Sequence, residues 1–126
     1  MKFLCLAYEE EQRLNVLTAS EWEALRSETL AYVDELRRSG RLVVTAALES
    51  ARTATTVRVR DGKRSAIDGP FAETKEQLGG IFLIEAADAE EAIEVASKWP
   101  SARIGSIEVR PILEQLRPGS RYGPAE

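Results

Sequence analysis

The stretch DGPFAETKEQLGG, residues 68–80, concentrates side chains that could do chemistry. Asp68 ends a predicted strand and precedes a rigid Gly-Pro turn, which holds its carboxylate in place. Glu73 and Glu76 are three residues apart, so one helical turn would put both carboxylates on the same face. Lys75 could pair with either glutamate or with Asp68. Carboxylates and a lysine beside an apolar wall could raise the pKa of one carboxyl group, which would then serve as a general acid or base.

The same stretch also has a purely structural interpretation. Phe71 would then fill the core, residues 73–77 would form one exposed helical turn, and Gly79 and Gly80 would let the chain re-enter the sheet. The two glycines could instead allow the backbone to lie close to a ligand. The sequence leaves open a ligand-contacting role, a catalytic role for the three carboxylates, and this structural role.

Three more polar side chains occupy positions from which they could reach a cavity. Tyr8 ends the first predicted strand, and its hydroxyl could face water or a ligand. Glu85 interrupts an apolar strand, either because the strand leaves the core there or because the carboxylate faces a cavity. Arg64 is either an edge residue with a solvated head or an anion-binding group that pairs with Glu85. The predicted ligand-contacting residues are Tyr8, Arg64, Asp68, Phe71, Lys75 and Glu85.

Composition argues against several other kinds of site and partner. The 126 residues include no histidine and one cysteine, so the usual zinc and iron ligand sets and Ser-His-Asp or Cys-His catalysis are not available to one chain. We expect no metal and no cofactor. The net charge of −4 disfavours a nucleic-acid binder, and no apolar run approaches the roughly 20 residues of a membrane span. The lone Cys5 and an opening stretch unlike a signal peptide predict a cytoplasmic protein.

Apolar runs and alternation predict six strands. An Asp-Gly pair at residues 61–62 predicts a two-residue hairpin turn, which would place Arg60 opposite Lys63, Val59 opposite Arg64 and Val57 opposite Ala66. The residues that follow the first strand, EEEQRLN, are predicted as a loop. The predicted strands cover residues 2–8, 41–48, 53–60, 63–67, 81–86 and 106–112.

Two amphipathic helices are expected between these strands. The first covers residues 19–39, because Thr18 and Glu21 form a capping-box pattern and Gly40 suits the helix end. Its apolar stripe consists of Trp22, Leu25, Thr29, Tyr32, Val33 and Leu36. The second helix begins after an Asp88 cap and stops at Pro100. Its predicted buried stripe consists of Ala89, Ala92, Ile93, Ala96 and Trp99.

The order of these elements predicts an α+β domain over residues 1–112. Strand, helix and strand occur on either side of an inserted hairpin, which is the ferredoxin-like split βαβ pattern with both helices on one face of the sheet. Residues 2–8 and 81–86 are apolar on both strand faces, so the other sheet face would be exposed. We therefore expect a homodimer whose two sheets pack face to face. Residues 113–126 are predicted to be a mobile tail.

The segments MKFLCLAY, TATTVRVRDGKRSAIDGPFAETKEQLGGIFLIEA and SIEVRPI resemble the DGPF branch of the YCII-related family. The resemblance covers about residues 1–112, and the long motif DGPFAETKEQLGG carries it. It implies a ferredoxin-like dimeric α+β barrel, in agreement with the order of the predicted elements.

The resemblance implies less about activity, because most of the family has no assigned reaction. One branch includes dehydrochlorinase-type enzymes proposed to use a His–Asp pair, which a chain without histidine cannot supply. DGPF proteins are also often encoded beside extracytoplasmic-function sigma factors, which implies a signalling or accessory role.

Three functions are therefore considered. The first choice is a small dimeric module that binds an unidentified small molecule. The second is a cofactor-free acid–base enzyme, of the lyase or isomerase type, that uses Asp68, Glu73 or Glu76. The third is a regulatory protein that associates with a sigma factor.

Overall fold

A four-stranded antiparallel sheet forms the centre of the protein, and a two-stranded hairpin extends from it. The computed structural model describes residues 1–114, so most of the predicted tail lies outside the described residues. The sheet consists of β1 (Lys2–Glu9), β2 (Leu42–Ala47), β5 (Gln77–Glu85) and β6 (Ser106–Pro111), and the hairpin of β3 (Thr55–Arg60) and β4 (Lys63–Asp68). The helices are α1 (Glu11–Asn15), α2 (Ala19–Arg38) and α3 (Ala89–Ser97), with short 3₁₀ turns at Ala51–Thr53 and Pro100–Arg103.

The strand order in the sheet is β2-β5-β1-β6. This order, with strand–helix–strand units before and after the hairpin, follows the predicted split βαβ pattern. The chain is therefore an α+β protein with antiparallel sheets. The α1 helix corrects the prediction of a loop after the first strand.

Local signals explain where α2 and α3 begin. The Thr18 hydroxyl accepts a hydrogen bond from the Glu21 amide at 3.1 Å, and the Glu21 carboxylate accepts one from the Thr18 amide at 2.9 Å. This reciprocal capping box confirms the predicted start of α2. Gly40 follows the end of that helix with a φ of +74°, as glycine at that position allows. Asp88 caps α3 by accepting from the Glu91 amide at 2.9 Å.

The core lies between the two long helices and one face of the sheet. Phe3, Cys5, Phe82 and Ile84 alternate along β1 and β5 and are almost fully buried there. Trp99 stacks on the Phe82 ring at a centroid distance of 3.9 Å. Burial raises the pKa of the Cys5 thiol to about 12, because the thiolate would lose its hydration. Cys5 is therefore a buried core residue whose thiolate form is disfavoured.

The buried stripe of α3 differs from the prediction. Ala92, Val95 and Ala96 are buried, but Ile93 is half exposed and Ala89 is exposed. The helix is rotated so that Val95 takes the core position expected for Ile93. None of the helices in residues 1–114 is long and apolar enough to cross a membrane.

The hairpin has the predicted register, with Arg60 opposite Lys63, Val59 opposite Arg64 and Val57 opposite Ala66. Positive φ values at Asp61 and Gly62 form its two-residue turn, which suits the twist of the paired strands. Both valines are 61% exposed. In a single chain, the hairpin therefore exposes apolar side chains to solvent.

The second face of the central sheet is also apolar. Alternate residues of β1 and β5 point to the side opposite the core, and they pair across the sheet as Leu4 with Leu83 and Leu6 with Ile81. Val44 on β2 extends this row beyond Leu83 and is 48% exposed. We call this surface the open face, because the helices of residues 1–114 pack on the other side.

Candidate functional site

A cleft of about 1030 Å³ lies between α2 and the core side of the sheet. The two halves of α2 explain the space. Its C-terminal half packs on the core through Leu36, with Tyr32 and Val33 beside it. Its N-terminal half stands away from the sheet, and Trp22 there is 49% exposed. Trp22, Leu25 and other residues of the predicted apolar stripe line the wall of the cleft instead of filling the core.

Small residues on the sheet form the floor of the cleft. Ala7, Gly80 and Ala47 pair with one another across β1, β5 and β2, and all three line the cleft. The next row toward the core carries Cys5, Phe82 and Thr45, so side-chain volume falls abruptly between the two rows. A row of short side chains beneath a long helix leaves unfilled volume, which is how a ligand pocket of this size arises.

Glu9 brings a carboxylate to one end of this floor. It follows Ala7 on the same face of β1, and a register shift between Ala7 and Tyr8 leaves Gly79 unpaired opposite them. A Cβ at Gly79 would lie 3.0 Å from Glu9 Oε2. Glycine at this irregularity in β5 therefore makes room for the carboxylate.

Ser101 lies beside Glu9 at the same end of the cleft. The chain just after the 3₁₀ turn that carries Ser101 approaches the end of β1 closely: a Cβ at Gly105 would lie 2.2 Å from the Tyr8 carbonyl oxygen. Only glycine allows this approach without movement of the backbone. Ser101 is buried and lines the cleft.

Burial raises the pKa of the Glu9 carboxyl above its ordinary value of 4.5, because the ionised form loses hydration. The adjacent Ser101 hydroxyl acts in the opposite direction and partly offsets this shift. Ser101 Oγ nevertheless has no partner at regular hydrogen-bonding geometry in the described part of the chain. The hydroxyl is therefore close enough to affect the carboxylate and still available to bond a third group.

A second carboxylate at the cleft, Glu11, is already engaged in the structure. Its side chain accepts hydrogen bonds from the Ala51 amide at 2.7 Å and the Ser50 hydroxyl at 3.0 Å. Its backbone amide donates to Gln77 Oε1 at 3.0 Å. Glu11 therefore ties the 3₁₀ turn and the start of β5 to α1, whereas Glu9 has no comparable structural role.

Two arginines line the same cleft. Arg26 lies on α2 and is 3.8 Å from Glu23. Arg52 lies on the 3₁₀ turn after β2. The cleft thus has apolar walls, a carboxylate and a hydroxyl at one end, and guanidinium groups among its remaining lining residues. In residues 1–114, no group of three His, Cys, Asp or Glu side chains is arranged to hold a metal ion.

Comparison with known proteins identifies the family. The family model of the YCII-related domain matches residues 1–115. This chain belongs to the YCII-related family. An uncharacterized protein of Rhizobium meliloti (strain 1021) is 36% identical to it over 121 residues, which cover 94% of this chain and 97% of the relative.

A solved structure shares the fold of this YCII-related protein. It is the 5-chloro-2-hydroxyhydroquinone dehydrochlorinase from Burkholderia phenoliruptrix AC1100 in complex with 2,5-dihydroxybenzoquinone. The TM-score is 0.56 and the identity is 16%, and the match covers 91% of this chain and 96% of the enzyme. At this identity the likeness shows the fold alone.

The structure places the predicted catalytic carboxylates outside the cleft of the YCII-related chain. Asp68 and Glu73 are exposed, and Lys75 is exposed between Glu73 and Glu76. Glu76 is half buried and accepts a hydrogen bond from the Ser106 hydroxyl at 2.8 Å. The ion pairs found in the described ranges do not include Lys75. The predicted pairing of Lys75 with a neighbouring carboxylate is therefore not formed.

Two structural predictions for this segment were wrong. Phe71 is 81% exposed, so it does not fill the core of the monomer. Residues 73–77 do not form a helical turn: residues 73–76 are irregular, with a bend at 75–76, and β5 already begins at Gln77. Glu73 and Glu76 therefore do not share a helical face. Gly79 and Gly80 belong to β5 and line the cleft, so this end of the motif does lie close to the candidate site.

Tyr8, Glu85 and Arg64 are not brought together. Tyr8 and Glu85 belong to the open face, on the other side of the sheet from the cleft. The Glu85 carboxylate lies 3.2 Å from the N-terminal amino group and 3.9 Å from Lys2 Nζ. Arg64 is exposed on the hairpin. The predicted pairing of Arg64 with Glu85 is replaced by contacts at the N-terminus.

Sequence reasoning missed Glu9 and Ser101. A signal for Glu9 was present, since the alternation of Phe3, Cys5 and Ala7 continues to residue 9 on one strand face. Ending the strand at residue 8 removed Glu9 from that face. Ser101 had no comparable signal, because its position depends on the contact between Gly105 and β1.

Proposed function

We propose that this YCII-related protein is a small dimeric module that binds a small molecule in the cleft under α2. The cleft itself carries this proposal: about 1030 Å³, with largely apolar walls and polar side chains among its lining residues. This combination is typical of small-molecule sites. The related fold of the dehydrochlorinase, whose structure contains 2,5-dihydroxybenzoquinone, supports the idea that such a scaffold can hold a small ring compound.

Blocking the cleft tests the proposal. In a thermal-shift screen against lactones, phenols and small organic acids, a ligand of the native state raises the melting temperature. Thr29→Trp places an indole in the cleft, and Ser27→Trp is the control because Ser27 is exposed on α2 and does not line it. We expect hits that are lost in Thr29→Trp and kept in Ser27→Trp. Hits that survive in both variants would place the site elsewhere.

The dimer in this proposal forms through the open face, which gives a dimeric α+β barrel. Support comes from the row of apolar side chains on that face, which would stay in contact with water in a monomer. Val44 on the open face and Ile93 on α3 are both about half exposed, so arginine at either position should leave the monomer folded. Sedimentation should show that Val44→Arg dissociates the dimer and Ile93→Arg does not. A wild-type mass of one chain would contradict the dimer.

A cofactor-free acid–base enzyme is the second candidate function. The observation that favours it is Glu9, a carboxyl with a raised pKa inside a cleft, since such groups serve as general acids or bases near neutral pH. Turnover of a compound found in the screen should be lost in Glu9→Gln. The earlier candidates Asp68, Glu73 and Glu76 stay predictions, and loss of turnover in Asp68→Asn with unchanged stability would favour them instead. The sigma-factor association also stays a prediction.

A further inference from the structure

We propose that the ligand of the cleft is an uncharged ring compound with a hydroxyl group, and that Glu9 and Ser101 bind this hydroxyl. The inference rests on the proposed function of the cleft and adds the chemical class of the ligand. It also assigns two binding residues that lie outside the sequence motif of residues 68–80.

Ser101 and Glu9 have hydrogen-bonding capacity to spare at the cleft. Ser101 Oγ is buried there and makes no hydrogen bond of regular geometry in the part of the chain that the structure describes, although it lies close enough to the Glu9 carboxylate to lower its pKa. The ion pairs within residues 1–114 do not include Glu9. Buried polar groups are normally satisfied, so the capacity that remains at Ser101 and Glu9 suits a bound polar atom. A ligand hydroxyl can donate to the carboxylate and accept from the serine at the same time.

The walls that α2 and the sheet give to the cleft favour a flat ligand. Trp22, Leu25, Leu30 and Val33 contribute an apolar wall from α2, and Ala7, Ala47 and Gly80 contribute a flat floor of small residues. A flat, largely apolar ligand fits between a helix and such a floor. Its polar atoms should be few and should lie at the end where Glu9 and Ser101 are.

Charge favours a neutral ligand. A ligand carboxylate at this end would meet Glu9, and two like charges repel each other. A ligand cation would share the cleft with Arg26 and Arg52. A neutral hydroxyl avoids both penalties and still gains a hydrogen bond to a carboxylate, which is stronger than one between neutral groups.

Four one-ring probes of similar size separate these alternatives: toluene, phenol, benzoate and benzylamine. Dissociation constants are measured by NMR titration of the full chain. We expect phenol to bind at least about tenfold more tightly than toluene, the effect of one hydrogen bond to a charged group. Benzoate and benzylamine should bind more weakly than phenol.

Variants of the two residues test the assignment. Glu9→Leu should remove the preference for phenol over toluene while toluene still binds, and Ser101→Ala should reduce the preference several-fold. Glu10→Leu is the matched control, because Glu10 does not line the cleft and makes no side-chain cap hydrogen bond. The control should keep the wild-type preference.

Failure of this inference is distinguishable from failure of the proposed function. If phenol and toluene bind in the cleft equally well, or if the preference persists in both Glu9→Leu and Ser101→Ala, the hydroxyl assignment is overturned and the cleft remains a binding site. Tightest binding of benzoate or benzylamine would also overturn the assignment. If none of the four probes shifts a cleft resonance, the proposed use of the cleft is contradicted as well.

Discussion

Carboxylates occur in two regions of this protein that differ in their surroundings. In the segment of residues 68–76, Asp68 and Glu73 are exposed to solvent on a connection between the hairpin and the sheet. At the floor of the cleft, Glu9 lies between β5 and the turn that carries Ser101, where burial raises its pKa. Residues 68–76 carry more ionisable side chains within a short stretch of sequence, whereas Glu9 is a single carboxylate that lines a cavity. The comparison shows that the chemical character of a carboxylate depends on the packing around it more than on the density of polar residues near it in sequence.

Two phenylalanines show the same difference between buried and exposed surroundings, and their substitution should give the largest difference in stability. Phe82 is fully buried beside the cleft and stacks on Trp99, whereas Phe71 is 81% exposed. Phe82→Ala should lower the free energy of unfolding by about 3–5 kcal/mol, because it removes a large core side chain and leaves a cavity. Phe71→Ala should change it by less than about 0.5 kcal/mol. Urea denaturation of both variants measures this difference.

The comparison of Phe71→Ala with Phe82→Ala also tests whether the protein is a dimer. If Phe71→Ala proves as destabilising as Phe82→Ala, then a partner chain buries Phe71, and the description of residues 68–76 as an exposed connection is wrong for the assembled protein. Repeating the denaturation at several protein concentrations would identify this case, because the stability of a dimer depends on concentration.

Substitution of two glycines near the Glu9 end of the cleft should give the next largest loss of stability. Gly105→Ala puts a Cβ 2.2 Å from the Tyr8 carbonyl oxygen, and the backbone must move to relieve the overlap. We expect a loss of about 1–3 kcal/mol in the free energy of unfolding. Gly79→Ala should cost less, because its Cβ would meet the mobile end of the Glu9 side chain at 3.0 Å. Urea unfolding of both variants measures these losses. If Gly79→Ala and Gly105→Ala lower the free energy of unfolding equally, the close approach of Gly105 to β1 is contradicted.

The pH dependence of stability sharpens the comparison of carboxylates. The folded state holds the Glu9 proton more tightly than the unfolded state does, since the pKa is raised above 4.5. The contribution of protonated Glu9 to the free energy of unfolding is therefore fully present below pH 4.5. It is lost as the pH rises through the pKa of Glu9 in the folded state. Glu9→Gln removes the dependence, so at neutral pH the variant should be more stable than wild type.

The control for this experiment is Glu10→Gln, at a neighbouring acid outside the cleft. Urea unfolding at acidic and neutral pH should show a stability difference from wild type that grows with pH for Glu9→Gln and stays constant for Glu10→Gln. A difference for Glu9→Gln that shrinks as pH rises would mean that the ionised Glu9 is stabilised, contrary to the burial argument.

Much of the fold could be predicted from local signals in the sequence. The Thr18–Glu21 capping box, the Asp-Gly turn of the hairpin and the strand alternation each depend on a few neighbouring residues, and the structure confirms them. The errors concern long-range packing. The rotation of α3 is decided by which side chain best fills the core, and the absence of a helical turn at residues 73–77 by the early start of β5 at Gln77. The site is harder still, because Ser101 reaches Glu9 only through the contact of Gly105 with a strand almost a hundred residues earlier.

Whether the cleft under α2 binds ligands is measured directly by mapping backbone amide shifts as phenol and toluene are added to isotope-labelled protein. We expect the largest changes at the cleft, in Ala46, Ala47, Gly79, Gly80 and Ser101, with little change at residues 68–76. Changes confined to Asp68, Phe71, Glu73 and Lys75 would contradict it and would place the site in the exposed segment after all.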